Sequence, residues 1–499
     1  MTTLQNDELL ERADAMRESF NKKLAKKAEL RQYFSNMHVA KLMASMMDYT
    51  QKNIKILDPG AGVGSLFVAC VQHICNKKKP VESIHVVAYE VDRLLFDSIN
   101  DVMMYAEKAC RDVGIEFSGK LVKKDFVMEH TTSQNALYGD FTHIILNPPY
   151  EKINTSSKIY DMLHSVGLQT TNMYSAFIAI SHNLLKSGGQ MTFISPRSFC
   201  NGTYFYPFRR NFLNTMSPKK IHLFKSRTSS FANDGVLQEN VIICAKKNGR
   251  NKEILVSSSG GPTDNIVKRR VKKSKVILDC DPQMFIHIVS DEIGAEISEK
   301  MRSLPCTLED IGMGVSTGKV VDFRIKDELR FTNEIGAVPL IRPFHISDGI
   351  TRFPGYSKKH HTFIMANKRS RKLLLENGSY VLVKRFTTIE QKKRVTAAVW
   401  TQKNYNSKLV GFENRVNYFH RNSSPLADNL AYGLWTFLNS NIVDIYFRQF
   451  NGSTQVNASD LKYLRYPDKL QLEVLGDSIM PEMSQDEIDK MVDDLLFSR

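Results

Sequence analysis

From about residue 52 to residue 247 the chain alternates short apolar runs with longer stretches of helical period, and no other feature restricts its fold as much. The apolar runs read as strands at NIKILD (53–58), IHVVAYE (84–90), KLVKKD (120–125), THIILN (142–147), QMTFISP (190–196), KIHLFKS (220–226) and ENVIICAKK (239–247). Helical stretches lie between them, among them LLFDSINDVMMYAEKACRDVG and NMYSAFIAISHNLLKSGG, the second closed by a Gly pair that acts as a helix stop. Alternation of this kind marks an α/β domain.

The pattern ends at SSSGGPTDN, residues 257–265, a Ser, Gly and Pro cluster that reads as a domain boundary. Three regions are therefore expected: a helical N-terminal extension over 1–50, the α/β domain over 51–256, and a mixed second domain over 266–499. The last carries the basic clusters RRVKKSK (269–275), VKRF (383–386) and QKKR (391–394). A length of 499 residues suits two or three domains. Lys and Arg exceed Asp and Glu by 68 to 53, a surplus that favours a polyanionic partner, most simply nucleic acid. Charge alone does not separate DNA from RNA or from an acidic protein. No window approaches the ~20 apolar residues of a membrane span, and the polar N-terminus lacks a signal-peptide core, so the expectation is a soluble intracellular chain without membrane contact. The seven cysteines are scattered without a C-x-x-C pair, which argues against a disulfide framework and against a structural metal site.

ILDPGAGVGSLFVAC (56–70) has the form strand, Gly-rich turn, helix. Gly60, Gly62 and Gly64 permit a tight turn and close backbone approach to a ligand, with a helix N-terminus behind. The spacing is G-x-G-x-G, so the dinucleotide pattern is not met. Asp58 ends the strand before the loop; a carboxylate there repels a pyrophosphate but suits an aminium group. Glu90 ends the next strand, where doubly wound sheets place an acceptor for ribose hydroxyls. Asp125, at the end of the third, can accept from an adenine amine. Each feature alone has a bland explanation. In order on successive strands, they point to S-adenosylmethionine rather than a nicotinamide cofactor.

The run ILNPPYEK (145–152) turns a strand into a stiff corner, Asn147-Pro148-Pro149-Tyr150. Two prolines stop the strand and hold φ near about -65°. The corner holds two acceptors on a rigid mount, the Asn147 side-chain oxygen and the Pro148 carbonyl, and Tyr150 adds an aromatic ring after them.

DPGAGVG, YEVD, KKDF and NPPY, in that order, resemble the class I methyltransferases that act on amino groups of adenine. The closer likeness is to the gamma class of DNA adenine-N6 methyltransferases from restriction–modification systems, the TaqI and Eco57I type. The resemblance implies a class I S-adenosylmethionine-dependent methyltransferase sheet, doubly wound with seven strands, followed by a mixed α+β target-recognition domain at 266–499. RQYFSNMHVAKLM (31–43) resembles the family's N-terminal motif, which places Tyr33, Phe34 and Ser35 at the cofactor, although Ser35-Asn36 replaces the usual Thr-Pro. By the same likeness the cofactor is held by Asp58, Pro59, Gly60, Ala61, Gly62, Glu90, Val91, Asp125, Phe126 and Asn147. The catalytic residues that the likeness implies are Asn147, Pro148 and Tyr150. An exocyclic adenine amine is a poor nucleophile because its lone pair is delocalised into the ring, and the Asn147 oxygen and Pro148 carbonyl would localise that pair. The extruded base would stack on Tyr150 and, from SFANDGVLQENVIICAK (230–246), on Phe231. The partner implied is double-stranded DNA. The expected setting is a monomer in the prokaryotic cytoplasm, held at the nucleoid through its DNA, with a separate restriction endonuclease acting on the same site. Two other readings stay open: a class I enzyme methylating RNA or a protein glutamine, and a non-catalytic DNA-binding protein with a relic cofactor fold.

Overall fold

The computed structural model describes residues 11, 13–15, 18, 36–77, 80–132, 139–225, 239–347, 349–355, 359–387, 391–479 and 483–498. The chain divides into two compact units, Met1–Ser290 and Asp291–Arg499.

The first unit is built on nine strands: β1 (Asn53–Asp58), β2 (Ser83–Tyr89), β3 (Glu116–Val122), β4 (Phe141–Leu146), β5 (Leu185–Pro196), β6 (Met216–Phe224), β7 (Asn240–Lys247), β8 (Glu253–Ser259) and β9 (Val267–Lys272). Their order across the sheet is β3-β2-β1-β4-β5-β7-β6-β8-β9. Strands β1 to β5 pair in parallel, and β7 is inserted antiparallel between β5 and β6. All six residues of β4 are buried, as a central strand covered on both faces requires. Successive residues point to opposite faces, so Ile56 and Ile145 enter one core while Leu57, Ile144 and Leu146 enter the other. The first core is closed by helices α1 (Met37–Ser45), α2 (Ser65–Asn76) and α3 (Phe96–Asp112) through Val39, Phe67 and Val102. The second is closed by α4 (Phe126–Thr132), α5 (Lys158–Ser165), α6 (Met173–Leu184) and α7 (Tyr206–Thr215) through Phe126, Leu163, Ile178 and Phe208.

The chain reverses direction across the sheet between β1 and β4, and a doubly wound sheet opens its ligand crevice at the carboxyl ends of such a pair. Asp58 is the last residue of β1, and Asn147 directly follows β4. Residues 89 apart in the sequence are thus brought to one edge by strand pairing, with Ile56 opposite His143 and Leu57 opposite Ile144.

The structure departs from expectation in three places. The sheet continues past the seven strands read from the sequence into β8 and β9, and β3 ends at Val122 rather than at Asp125. The segment 257–265 is not a domain boundary. Its serines lie in β8, and the following residues form the turn of a β8–β9 hairpin that pairs Glu253 with Lys272 and Ser258 with Val267. A hairpin turn and a linker draw on the same residues, so composition does not separate them. Ser257 and Ser259 are buried because they hydrogen-bond the two ring nitrogens of buried His222, at 3.0 and 3.2 Å. The cluster RRVKKSK consequently begins on the edge strand of the first unit, and the division falls at Ser290, where Asp291 caps the helix Glu292–Ser303 by accepting from Gly294 N.

The second unit combines a six-stranded and a five-stranded mixed sheet with several helices. The six-stranded sheet runs Gly314–Thr317, Val416–His420, Tyr380–Lys384, Ala397–Trp400, Ile350–Thr351, Ile346–Ser347 in spatial order. Part of its basic sequence is structural rather than available to a partner. Arg394 is fully buried, bonded to the Thr387 and Ser453 carbonyls and to Asn451 Oδ1 at 2.7 Å. The Lys393 ammonium donates to the Asn439 carbonyl and to Gln485 Oε1. Among the described residues no helix is long and apolar enough to cross a membrane.

Helices Asp428–Asn439 and Lys469–Asp477 meet backbone to backbone at two glycines: a Cβ on Gly433 would lie 1.7 Å from Leu472 O, and one on Gly476 would lie 1.8 Å from Asn429 O. The neighbour in each case is a carbonyl within a helix and cannot swing aside. Gly433→Ala is therefore expected to cost about 3 kcal/mol or more, the upper end for an overpacked core, as read by chemical denaturation. A cost under about 1 kcal/mol would show that these helices can separate freely.

Candidate active site

The glycine loop after β1 is held by its own backbone and by one carboxylate. Ala61 N donates to Tyr89 O at 2.9 Å, and Gly64 N to Ala61 O at 2.8 Å. Gly62 and Gly64 have φ of 57° and 86°, and a Cβ on Gly64 would meet the Phe67 ring at 2.7 Å. Side chains other than glycine are thereby excluded at Gly64 by both conformation and space. Glu90, just past β2, accepts from Gly62 N at 2.9 Å through Oε2, and from Val91 N at 2.8 Å and Asp92 N at 2.9 Å through Oε1. Burial raises its pKa, and these three amides oppose the rise. The residue expected to meet a ribose first of all pins the loop.

Asp58 is fully buried, and neither carboxyl oxygen closes a hydrogen bond of ordinary geometry. The Gly60 and Phe67 amides draw its pKa down and Glu90 pushes it up, but burial dominates and lifts it to about 8. A buried carboxyl whose amide contacts do not offset its burial, beside a loop that presents mainly backbone, suits a ligand bringing a cation, and S-adenosylmethionine does so. Asp125 is exposed and caps α4, its Oδ1 accepting from Met128 N at 2.8 Å. Phe126 is buried, packed edge-on against Tyr89 with centroids 5.2 Å apart and against Phe177 at 5.3 Å. Pro59 and Ala61 are buried beside the loop, and Val91 is exposed.

The corner Asn147-Pro148-Pro149-Tyr150 leaves the carboxyl end of β4, and the segment after it is clamped to the start of α6. Ile153 N donates to Thr171 O, and Met173 N to Glu151 O, each at 2.8 Å. Tyr150 donates its hydroxyl to Asn147 Oδ1 at 3.3 Å. Its ring meets Tyr174 edge-on at 6.2 Å, and Tyr174 in turn lies 5.6 Å from Phe205. Burial, and secondarily Tyr174, drives the Tyr150 phenol above its ordinary range, so it stays a donor.

Strand pairing thus brings the loop, Asp58, Glu90 and the Asn147 corner to one edge of the sheet. Tyr33, Phe34, Ser35 and Phe231 lie outside the described residues. Next to Ser35, Asn36 caps α1 by accepting from Val39 N at 2.9 Å. Three aromatics at this edge escape a reading of the sequence: Phe177, 3.6 Å from where a Gly60 Cβ would be, together with Tyr174 and Phe205. Tyr174 and Phe177 sit in a helical pattern where an aromatic reads as core and Phe205 in a short 3-10 turn, and only the topology sets them at this edge.

The profile described as Eco57I restriction–modification methylase matches residues 94–231. The type II methyltransferase M.PstI of Providencia stuartii is 38% identical over 492 residues, 97% of this chain and 96% of that protein. The type II methyltransferase M.BsuBI of Bacillus subtilis is 37% identical over 503 residues, 98% of this chain and 99% of its own. Among solved structures, the type IIL restriction–modification enzyme MmeI, determined in complex with DNA, aligns with a TM-score of 0.52 at 12% identity, over 98% of this chain and 73% of that one. At that identity the likeness is one of fold.

The state of Asp58 links the site to stability. Its folded pKa, about 8, lies above the unfolded value of 3.8, so the folded protein binds the extra proton between these limits. The associated stability is fully present below the unfolded value and is lost as pH rises towards about 8. The melting temperature of the cofactor-free protein should fall with rising pH across this window, and Asp58→Asn should flatten the slope. That variant should gain stability at the alkaline end while binding S-adenosylmethionine at least ~10-fold more weakly, a loss of ~1.4 kcal/mol. An unchanged slope together with unchanged affinity would remove Asp58 from the site.

Proposed function

The chain belongs to the Eco57I-type family of restriction–modification DNA methyltransferases, and from this we propose that it methylates the N6 amine of an adenine turned out of duplex DNA. S-adenosylmethionine supplies the methyl group, activated on a sulfonium. The observation that carries the adenine reading is the Asn147-Pro148-Pro149-Tyr150 corner, set at the carboxyl end of β4 beside the buried carboxyl of Asp58 at the end of β1.

The chain's own residues act mainly by position. The Asn147 Oδ1 and the Pro148 carbonyl accept from the exocyclic amine and localise its lone pair for attack. Proline mounts them rigidly and brings no N–H to compete. The bond between Tyr150 and Asn147, long at 3.3 Å, leaves the amide oxygen able to take a substrate N–H in its place. The base cannot react inside the helix, so it is extruded and held against Tyr150, with Phe231 as the second ring. Tyr174 and Phe205 back the Tyr150 ring, so its placement does not rest on the corner alone. Asp58, Glu90, Asp125, Phe126 and the glycine loop hold the cofactor.

In this reading the second unit selects the sequence on double-stranded DNA. The protein works as a monomer on DNA in the cytoplasm, and a separate endonuclease cuts the unmodified site.

Asn147→Ala should reduce single-turnover methyl transfer about 100-fold or more, the scale for removing one preorganised hydrogen-bonding group, with little change in affinity for S-adenosylmethionine or DNA. Duplex DNA carrying 2-aminopurine at the target should brighten on binding, and Tyr150→Ala should weaken that response. Near-normal turnover in the Asn147 variant would overturn the role of the corner. Transfer to RNA or to protein in preference to duplex DNA would overturn the substrate.

A further inference from the structure

The second unit holds a cleft that the methyl-transfer reading does not use. Helix Asp428–Asn439 lies along the six-stranded sheet, and Tyr432, Trp435 and Asn439, spaced three and four residues apart, share one stripe of it. Where this stripe overhangs the short strand Ile350–Thr351, Ile350 remains 54% exposed and a cleft of about 890 Å³ opens. Ligand sites generally span roughly 300–1,000 Å³.

Lys384, Lys392, Lys393 and Lys403 line the cleft, and no carboxylate stands among its described lining residues. The Lys393 ammonium is taken up by Asn439 and Gln485. Of the other three, Lys392 and Lys403 are exposed and Lys384 is half-buried. Scattered surface lysines are ordinarily just solvated. Converging on a concave, partly apolar surface, they focus a positive potential where an anion is desolvated.

Trp435 makes the site more specific than an anion trap. The protein has two tryptophans. Trp400 is fully buried, its Nε1 donating to Asn377 Oδ1 at 2.8 Å. Trp435 instead lines the cleft, its Nε1 donating to the Gly349 carbonyl at 2.8 Å. Gly349 has φ +77°, and a Cβ there would come within 3.0 Å of the indole. The ring is seated on a bare backbone and held by its own N–H, an apolar plane in a cleft that lysines also line. Planar stacking on an aromatic and phosphate binding by lysine are the two elements of nucleotide recognition.

We propose that this cleft is a nucleotide-binding site, with the base against Trp435 and Ile350 and the phosphate held by Lys384, Lys392 and Lys403. The ligand chemistry is that of a nucleoside monophosphate, free in solution or as one residue of a DNA strand. Either way it is a second site, apart from the base-stacking corner at Tyr150.

The full-length protein reports on this directly, because Trp400 is shielded and Trp435 is not. Titration with dAMP, with inorganic phosphate and with short duplex DNA should quench the emission of Trp435. A saturable response to dAMP assigns a free nucleotide; a response to DNA without one to dAMP assigns a strand residue. Trp435→Phe should abolish the quenching and weaken the binding measured by calorimetry. Lys384→Gln combined with Lys392→Gln and Lys403→Gln should weaken binding at least ~10-fold at unchanged S-adenosylmethionine affinity, since each lost phosphate contact removes a share of the electrostatic attraction. Emission that responds to neither dAMP nor DNA, or responds equally to inorganic phosphate, would overturn the proposal. Methyl transfer is read in a separate assay, so failure here is distinct from failure of the catalytic reading.

Discussion

The buried carboxylate of Glu90 is the contact on which the first unit's site depends. It takes three backbone N–H groups, one from the glycine loop and two from the turn that follows β2. A carboxylate this buried would be costly without such donors. Three donors to one carboxylate offset much of that cost and close two loops at once. The loop then presents mainly backbone, since its Ala61 and Val63 side chains are buried, and its last residue, Gly64, opens α2. Asp58 lies beneath it in the opposite condition, equally buried but without a closed hydrogen bond. One acid fastens the loop as well as facing the proposed cofactor, while the other has no such structural task. The contrast comes from their surroundings, since both simply end neighbouring strands.

The corner after β4 follows the same logic of fixed backbone. Prolines hold it locally, and the short ladder from residues 151–153 to 171–173 holds it from outside. Behind it, Arg197 and Glu239 form a buried ion pair at 3.0 Å that joins the end of β5 to the start of β7. Loss of either partner would leave a buried charge alone, at a cost of ~3–5 kcal/mol. Rigidity on this scale fits the proposed mechanism, in which acceptors contribute through placement and a small misalignment removes their advantage.

In the second unit, formal charge is a poor guide to available charge. Lys392, Lys393 and Arg394 are consecutive in one short basic run, yet Arg394 is an internal strut, Lys393 is tied to a helix end and Lys392 is exposed. A basic cluster in sequence is therefore divided by the fold into structural and accessible members.

The sequence by itself determined the α/β class, most strand positions in the first unit to within a few residues, and the identity of the glycine loop and the proline corner. These are local properties: hydrophobic period, turn chemistry and the dihedral limits of glycine and proline act within a few residues. It did not determine that 257–265 is a hairpin turn, since a turn and a linker differ only in what their flanks pair with. Nor did it show that Glu90 is committed to three amides, that Phe177 faces Gly60, or that Trp435 lies on Gly349. The Gly62 contact of Glu90 and the other two join residues distant along the chain, and only the crossing of strands and helices decides which of them meet.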